Sequence, residues 1–203
     1  STVLKARPID DSEHPSFMPP PVEEVVATIE AERPGIVFAP HVETSSGMIL
    51  PDDYLRSVAD AVHGVGGMFV LDCIASGAIW VDMKVSGVDV LISAPQKGWS
   101  SSPCAGLVML NSVALERLKS TTSTSFAGDL RKWLEIMQAY EKGGHAYHAT
   151  MPTDALARFR DTMKETEAYG FSKVRGEQQE LGDKVRALLV GKGIKSVAAE
   201  GFQ

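Results

Sequence analysis

Between residues 22 and 110 the sequence alternates between two spacings of apolar residues, and that alternation limits the fold more than any other feature of the chain. Val22, Val25, Val26 and Ile29 recur at i, i+3, i+4 and i+7, which is one face of a helix that must end before Pro34. The short run "GIVFAP" follows and reads as a strand. Helical spacing returns in "LPDDYLRSVADAVHGVGG" at Leu55, Val58, Ala59 and Val62, with Pro51 in the first turn and closing glycines suited to a C-terminal cap. "MFVLD" then reads as a buried strand, and "GVDVLIS" and "AGLVML" as two more. Strand, helix and strand in this order predict a mostly parallel sheet covered by helices, so the first part of the chain is α/β.

The ends and the second half read differently. The opening "STVLKA" is strand-like. From Ser112 the pattern is helical, through "SVALERLKS" and then "DLRKWLEIMQAY", where Leu130, Leu134 and Met137 lie on one side. Gly143 and Gly144 interrupt it. A long helix is predicted from Pro152 with Leu156, Phe159 and Met163 on one face, a break near Gly170, and a continuation through Leu181, Val185 and Leu188. No internal repeat or low-complexity linker is present.

Composition removes several classes of function. With 203 residues, 44% apolar and 23% charged, the chain can bury a sizeable core. A net charge of -6 with dispersed Lys and Arg gives no basic patch for nucleic acid or anionic lipid. Cys73 and Cys104 lack a CxxC spacing, which argues against a disulfide framework or a zinc site and fits a reducing cytoplasm. No apolar run is long enough to span a bilayer.

In open α/β sheets ligands collect at the carboxyl ends of the strands, and three polar clusters fall there: "HVETSSG" after Ala39, "LDCIAS" around Asp72 and "SAPQKG" around Lys97. While the chain stays extended, Asp72 and Ile74 face the same side, placing a carboxylate beside a branched apolar group. That pair suits a flat heteroaromatic ring with a basic nitrogen. A partly desolvated Lys97 amine would be a nucleophile able to form a Schiff base with an aldehyde. Taken alone, a strand-end Lys is more often a solvated terminus, and an Asp there more often a turn or N-cap residue.

The ordered set "HVETSSGMILP", "FVLDCIASGAIWVDM", "GVDVLISAPQKGWSSSPCAGLVML" and "YHATMP" ahead of a long helix resembles the class V, fold type I aminotransferases that use pyridoxal 5'-phosphate. Within them it is similar to the alanine:glyoxylate and serine:pyruvate branch. The resemblance implies a three-layer fold type I large domain over residues 1–150, with interdomain helices and the start of a small C-terminal domain over 151–203. It implies that Lys97 holds the cofactor as an internal aldimine and moves the proton at the substrate carbon. Asp72 would pair with the pyridine nitrogen, an arrangement that shifts a pKa by about one to three units. Ile74 would lie against the ring, Thr44 would offer a hydroxyl, and Gln96 would help hold the phosphate. Tyr147 and Thr150 would reach the phosphate of a partner's cofactor across a homodimer interface. Spacing alone favours the plainer reading, in which Tyr147 packs its ring and Thr150 caps the helix opening at Pro152.

The resemblance further implies that a phosphate-binding turn and a ring-stacking aromatic precede Ser1, and that a substrate-carboxylate Arg follows Gln203. The chain is thus expected to be a central piece of such a transferase. The implied reaction passes the amino group of alanine or serine to glyoxylate or pyruvate. Two alternatives belong to other classes: a lyase of the cysteine desulfurase kind, whose branch has His where this chain has Gln96, and an inactive relative serving as an assembly module. Cys73 and Cys104 are expected to fill small buried spaces. His41, His63, His145 and His148 have no triad or ligand spacing and read as structural or exposed.

Overall fold

The computed structural model of the chain describes all residues from Ser1 to Gln203. An antiparallel pair, β1 (Arg7–Pro8) and β2 (Phe17–Met18), precedes helix α1 (Val22–Glu32). Strand β3 (Ile36–Pro40) leads into a small hairpin of β4 (Val42–Glu43) and β5 (Met48–Ile49), and then into α2 (Asp52–Gly64) and β6 (Met68–Asp72). A short α3 (Met83–Ser86) precedes β7 (Val90–Ser93), which is followed by β8 (Leu107–Leu110) and α4 (Ser112–Lys119). Three helices complete the chain: α5 (Leu130–Glu141), α6 (Thr153–Tyr169) and α7 (Phe171–Gly191).

Local chemistry sets these boundaries. Arg33 adopts a left-handed conformation (φ 48°) and its N–H donates to Ile29 O, which stops α1 immediately before Pro34. Asp52 and Asp53 in the first turn of α2 and His63 in its last complement the helix dipole. Pro51 sits one position before that helix rather than inside its first turn. Asp82 caps α3 by accepting from the N–H groups of Lys84 and Val85.

The central sheet has the order β3-β6-β7-β8, with β3, β6 and β7 parallel and β8 antiparallel to β7. Register pairs Pro40 with Asp72 and Asp72 with Ile92, so three carboxyl ends lie in one row. One face of the sheet carries Phe69, Leu71 and Leu91, which pack with Val25 and Ile29 of α1 and Leu55, Val58, Ala59 and Val62 of α2. Burying each large side chain of this cluster contributes about 1.5–3 kcal/mol. On the other face, Ile36 and Phe38 of edge strand β3 stay exposed. No helix is long and apolar enough to cross a membrane.

One expectation from the sequence is corrected, and two of the expected helices carry apolar faces that stand open. "STVLKA" forms no strand; the first pairing begins at Arg7. The apolar face of α5 buries none of its residues, and Leu130 and Met137 remain exposed. Likewise Leu181, Val185 and Leu188 of α7 face outward, because this chain supplies no element to cover them. After α7 the chain returns to its beginning: Phe17 N–H donates to Val197 O (2.7 Å) and Ala199 N–H to Phe17 O (2.8 Å).

Candidate active site

The three strand-end loops are joined directly to one another. His41, just past β3, is buried, and its Nδ1 lies 2.7 Å from the hydroxyl of Ser76 in the loop after β6. Burial holds the imidazole neutral, with its pKa pushed down to about 4. The backbone N–H of His41 donates to Asp72 O, and that of Cys73 to Ile92 O, both at 2.8 Å. These bonds extend the sheet one residue beyond each strand.

The second junction is made by glycines. A Cβ on Gly98 would fall 1.9 Å from the carbonyl oxygen of Gly77, so these two backbones meet at a distance that no side chain permits. Gly98 directly follows Lys97, so the loop that presents the lysine rests on the loop that begins at Asp72. Trp80 and Trp99 reinforce the junction, with ring centroids 4.8 Å apart, and Phe159 and Phe171 pack their edges on Trp99.

Lys97 lies in the turn after β7, exposed, and enters none of the chain's ion pairs. Burial of its amine is therefore not a property of this chain by itself. Asp72 is also exposed; its Oδ1 accepts from the N–H of Ile74 at 2.9 Å. This bond curls the chain as β6 ends, so the extended-chain argument for Asp72 and Ile74 sharing a face does not apply. Thr44 is exposed in the hairpin turn, which the Glu43 carboxylate organises by accepting from the backbone and hydroxyl of Ser45 and the backbone of Ser46. Those bonds hold the Glu43 pKa down to about 2. Gln96 is exposed beside Lys97.

Tyr147 and Thr150 lie apart from this group. Their hydroxyls are 3.2 Å from each other, both residues are exposed, and neither is hydrogen-bonded to a strand-end residue. Cys73 is buried, which pushes its thiol up to about 12, whereas Cys104 is only half-buried and does not fill the sealed space expected of it. His63 pairs with Asp89, and His148 stacks on Phe126, so both have structural roles.

Sequence reasoning missed Gln178, the Gly77–Gly98 contact and the tryptophan pair. Lone glycines in two strand-end loops were the available signal for close backbone approach. Nothing in the sequence singled out Gln178.

The donor set fits pyridoxal phosphate. A lysine without a partner supplies the amine, and Asp72 keeps one carboxylate oxygen uncommitted for a ring nitrogen. Trp80 Nε1 and Ser101 Oγ, in the two loops that meet at the glycines, are buried without a hydrogen-bond partner.

The chain is an open, mostly parallel α/β sheet with a lysine loop at its carboxyl edge, the architecture expected of a fold type I transferase domain. No family model matches it. Alanine–glyoxylate aminotransferase 1 of Saccharomyces cerevisiae is 29% identical to it over 179 residues, which is 84% of this chain and 45% of that protein. The 2-aminoethylphosphonate–pyruvate transaminase of Paraburkholderia phymatum is 31% identical over 137 residues, 67% of this chain and 35% of that protein. The crystal structure of an alanine–glyoxylate aminotransferase from Nostoc sp. superposes with a TM-score of 0.76 at 23% identity, covering 89% of this chain and 47% of that one. The chain thus spans roughly a third to a half of the relatives it matches. By sequence and fold it belongs to the class V aminotransferases, whose cofactor is pyridoxal phosphate.

Proposed function

We propose that this chain carries the cofactor-anchoring half of a transaminase that passes the amino group of alanine or serine to glyoxylate or pyruvate. The carrying observation is the Gly77–Gly98 contact, which fixes the Lys97 loop against the Asp72 loop. Bound there, pyridoxal phosphate supplies the electron sink for the amino acid's Cα–H bond. Lys97 Nζ would hold the cofactor covalently and, once the amino acid displaces it, would take the proton from the substrate Cα and deliver it to the cofactor's C4′ carbon. Asp72, through the oxygen not given to Ile74, holds the proton on the ring nitrogen. Ile74 flanks the ring, Thr44 and Gln96 donate to the cofactor, and Tyr147 and Thr150 serve the partner subunit's phosphate in a homodimer.

The activities of the relatives support the substrate class. The break at Gly170 and the open face of α7 support a large domain over 1–150 and a connection to a second domain over 151–203. Two free cysteines support a reducing, cytoplasmic location.

The test is to incubate the chain with pyridoxal phosphate, reduce with borohydride and map the peptides. A pyridoxyl group on the Lys97 peptide is expected. Label on another lysine, or a colourless, unlabelled chain, would refute the reading and favour the assembly-module alternative. Alanine, serine and 2-aminoethylphosphonate, offered in turn to the loaded protein, then identify the donor.

A further inference from the structure

We infer that Gln178 is a positioning residue for Lys97, through which α7 sets the backbone of the lysine loop; this rests on the proposed role of Lys97. Gln178 lies eight positions after Gly170, the break between α6 and α7. Its Oε1 accepts from the N–H of Ala78 at 2.6 Å, a contact spanning 100 positions of sequence. The same amide closely approaches Gly77: a Cβ there would be 2.1 Å from Gln178 Nε2. Gly77, with φ +59°, in turn supports Gly98, the residue after Lys97. Helix, glycine, glycine and lysine thus form one continuous stack.

Beyond the tryptophan pair, the lysine loop is held by a few backbone bonds of its own. Lys97 N–H reaches Ala94 O only at 3.4 Å, and the loop turns on Ser100, a non-glycine residue with φ 52°. Its firmer bonds are from Ser100 N–H to Lys97 O (2.9 Å) and from Ser101 N–H to Pro95 O (3.0 Å). A second route from α7 reaches the same place, since Phe171, its first residue, packs edge-on against both Trp80 and Trp99. Displacement of α7 about Gly170 therefore moves the surface on which the lysine loop rests. The hydrogen bond of Gln178 is the polar member of this coupling, and its requirement is an acceptor.

The experiment compares the wild-type chain with Gln178→Met, which keeps the length and loses the acceptor, and Gln178→Glu, which keeps the acceptor. Hydrogen exchange of the cofactor-free chain is read at Ala78, Ser100 and Ser101, with Phe69, Val70 and Leu71 as the core reference. Borohydride labelling at one fixed concentration of pyridoxal phosphate is read at Lys97 and at the remaining lysines. In Gln178→Met we expect exchange about fivefold to tenfold faster at Ser100 and Ser101, the factor one neutral hydrogen bond is worth, and a proportionate loss of Lys97 label. Core protection and the other lysines should not change, and Gln178→Glu should restore both readouts. Wild-type exchange and labelling in Gln178→Met would overturn the inference, as would identical behaviour of the two variants. If the Met variant loses core protection, Gln178→Ala removes the same acceptor with less bulk and decides instead. Absence of Lys97 label in the wild type refutes the proposed function, and the exchange data then decide the coupling alone.

Discussion

His63 Nε2 lies 2.9 Å from Asp89 Oδ2, joining the last turn of α2 to the residue that precedes β7. Asp89 is 1% exposed. The same oxygen accepts from Phe69 N–H at 2.8 Å, and Oδ1 accepts from Asn111 Nδ2 at 2.7 Å. One carboxylate therefore holds the last turn of α2, the start of β6, the entry to β7 and the exit of β8. Lys97 follows eight residues after Asp89, in the turn beyond the strand so fixed.

Asp89→Ala leaves three donors facing a cavity, each an unsatisfied group worth about 1–3 kcal/mol when buried. His63 is partly open and can turn to water, so the expected loss of stability is about 3–5 kcal/mol. Asp89→Asn keeps one acceptor and should lose less. Urea unfolding at pH 7 measures both; a loss under about 1 kcal/mol for Asp89→Ala would show that the network contributes no net stability.

His41 makes stability depend on pH in a defined window. In the folded chain its pKa is pushed down from 6.5 to about 4 by burial, so the unfolded chain binds a proton that the folded one refuses. Stability is complete above pH 6.5 and is lost as the pH falls toward 4. At about 1.4 kcal/mol per unit the loss approaches about 3 kcal/mol. His41→Gln keeps a polar partner for Ser76 and removes the proton site. Its unfolding free energy should fall less than the wild type's between pH 7 and pH 5; parallel curves would exclude His41 as the cause.

The parts of this molecule readable from sequence are those that depend on local periodicity. Leu55, Val58, Ala59 and Val62 predicted α2 and its buried face because a helix buries every third or fourth residue wherever it packs. Phe69 and Leu71 were legible as core for the same kind of reason. Spacing cannot tell whether a partner exists for a face, so Met137 and Leu188 carry the same signal as Leu55 and yet lie in the open. The strand-end positions of Asp72 and Lys97 were legible, but the bond from Ile74 N–H to Asp72 Oδ1 was not, because it depends on where β6 stops. Gln178 was invisible because it acts across 100 positions of chain.

Tyr147 and Thr150 provide the test of a shared site. Tyr147 is 76% exposed, and α5, on the same stretch of chain, presents Leu130, Met137 and Tyr140 without covering any of them. A second copy packed there would bury this surface and bring the two hydroxyls to its own strand ends. Each hydroxyl can donate to a phosphate oxygen, and a bond to a charged acceptor contributes about 1.5–3 kcal/mol, so losing both should weaken cofactor retention by about two or more powers of ten. The effect must act in trans. A Lys97→Ala chain is mixed with a Tyr147→Phe, Thr150→Ala chain, subunits are allowed to exchange, and pyridoxal phosphate is reduced onto whatever lysine holds it. Neither parent alone should retain label at Lys97 after dialysis. In the heterodimer one site combines Lys97 with intact Tyr147 and Thr150 from the other subunit, so label should return to that lysine at the wild-type level. Half the sites per dimer are then loaded. If exchange is verified by mass and the label does not return, or if the double variant alone retains cofactor like the wild type, the two residues do not serve the partner's site.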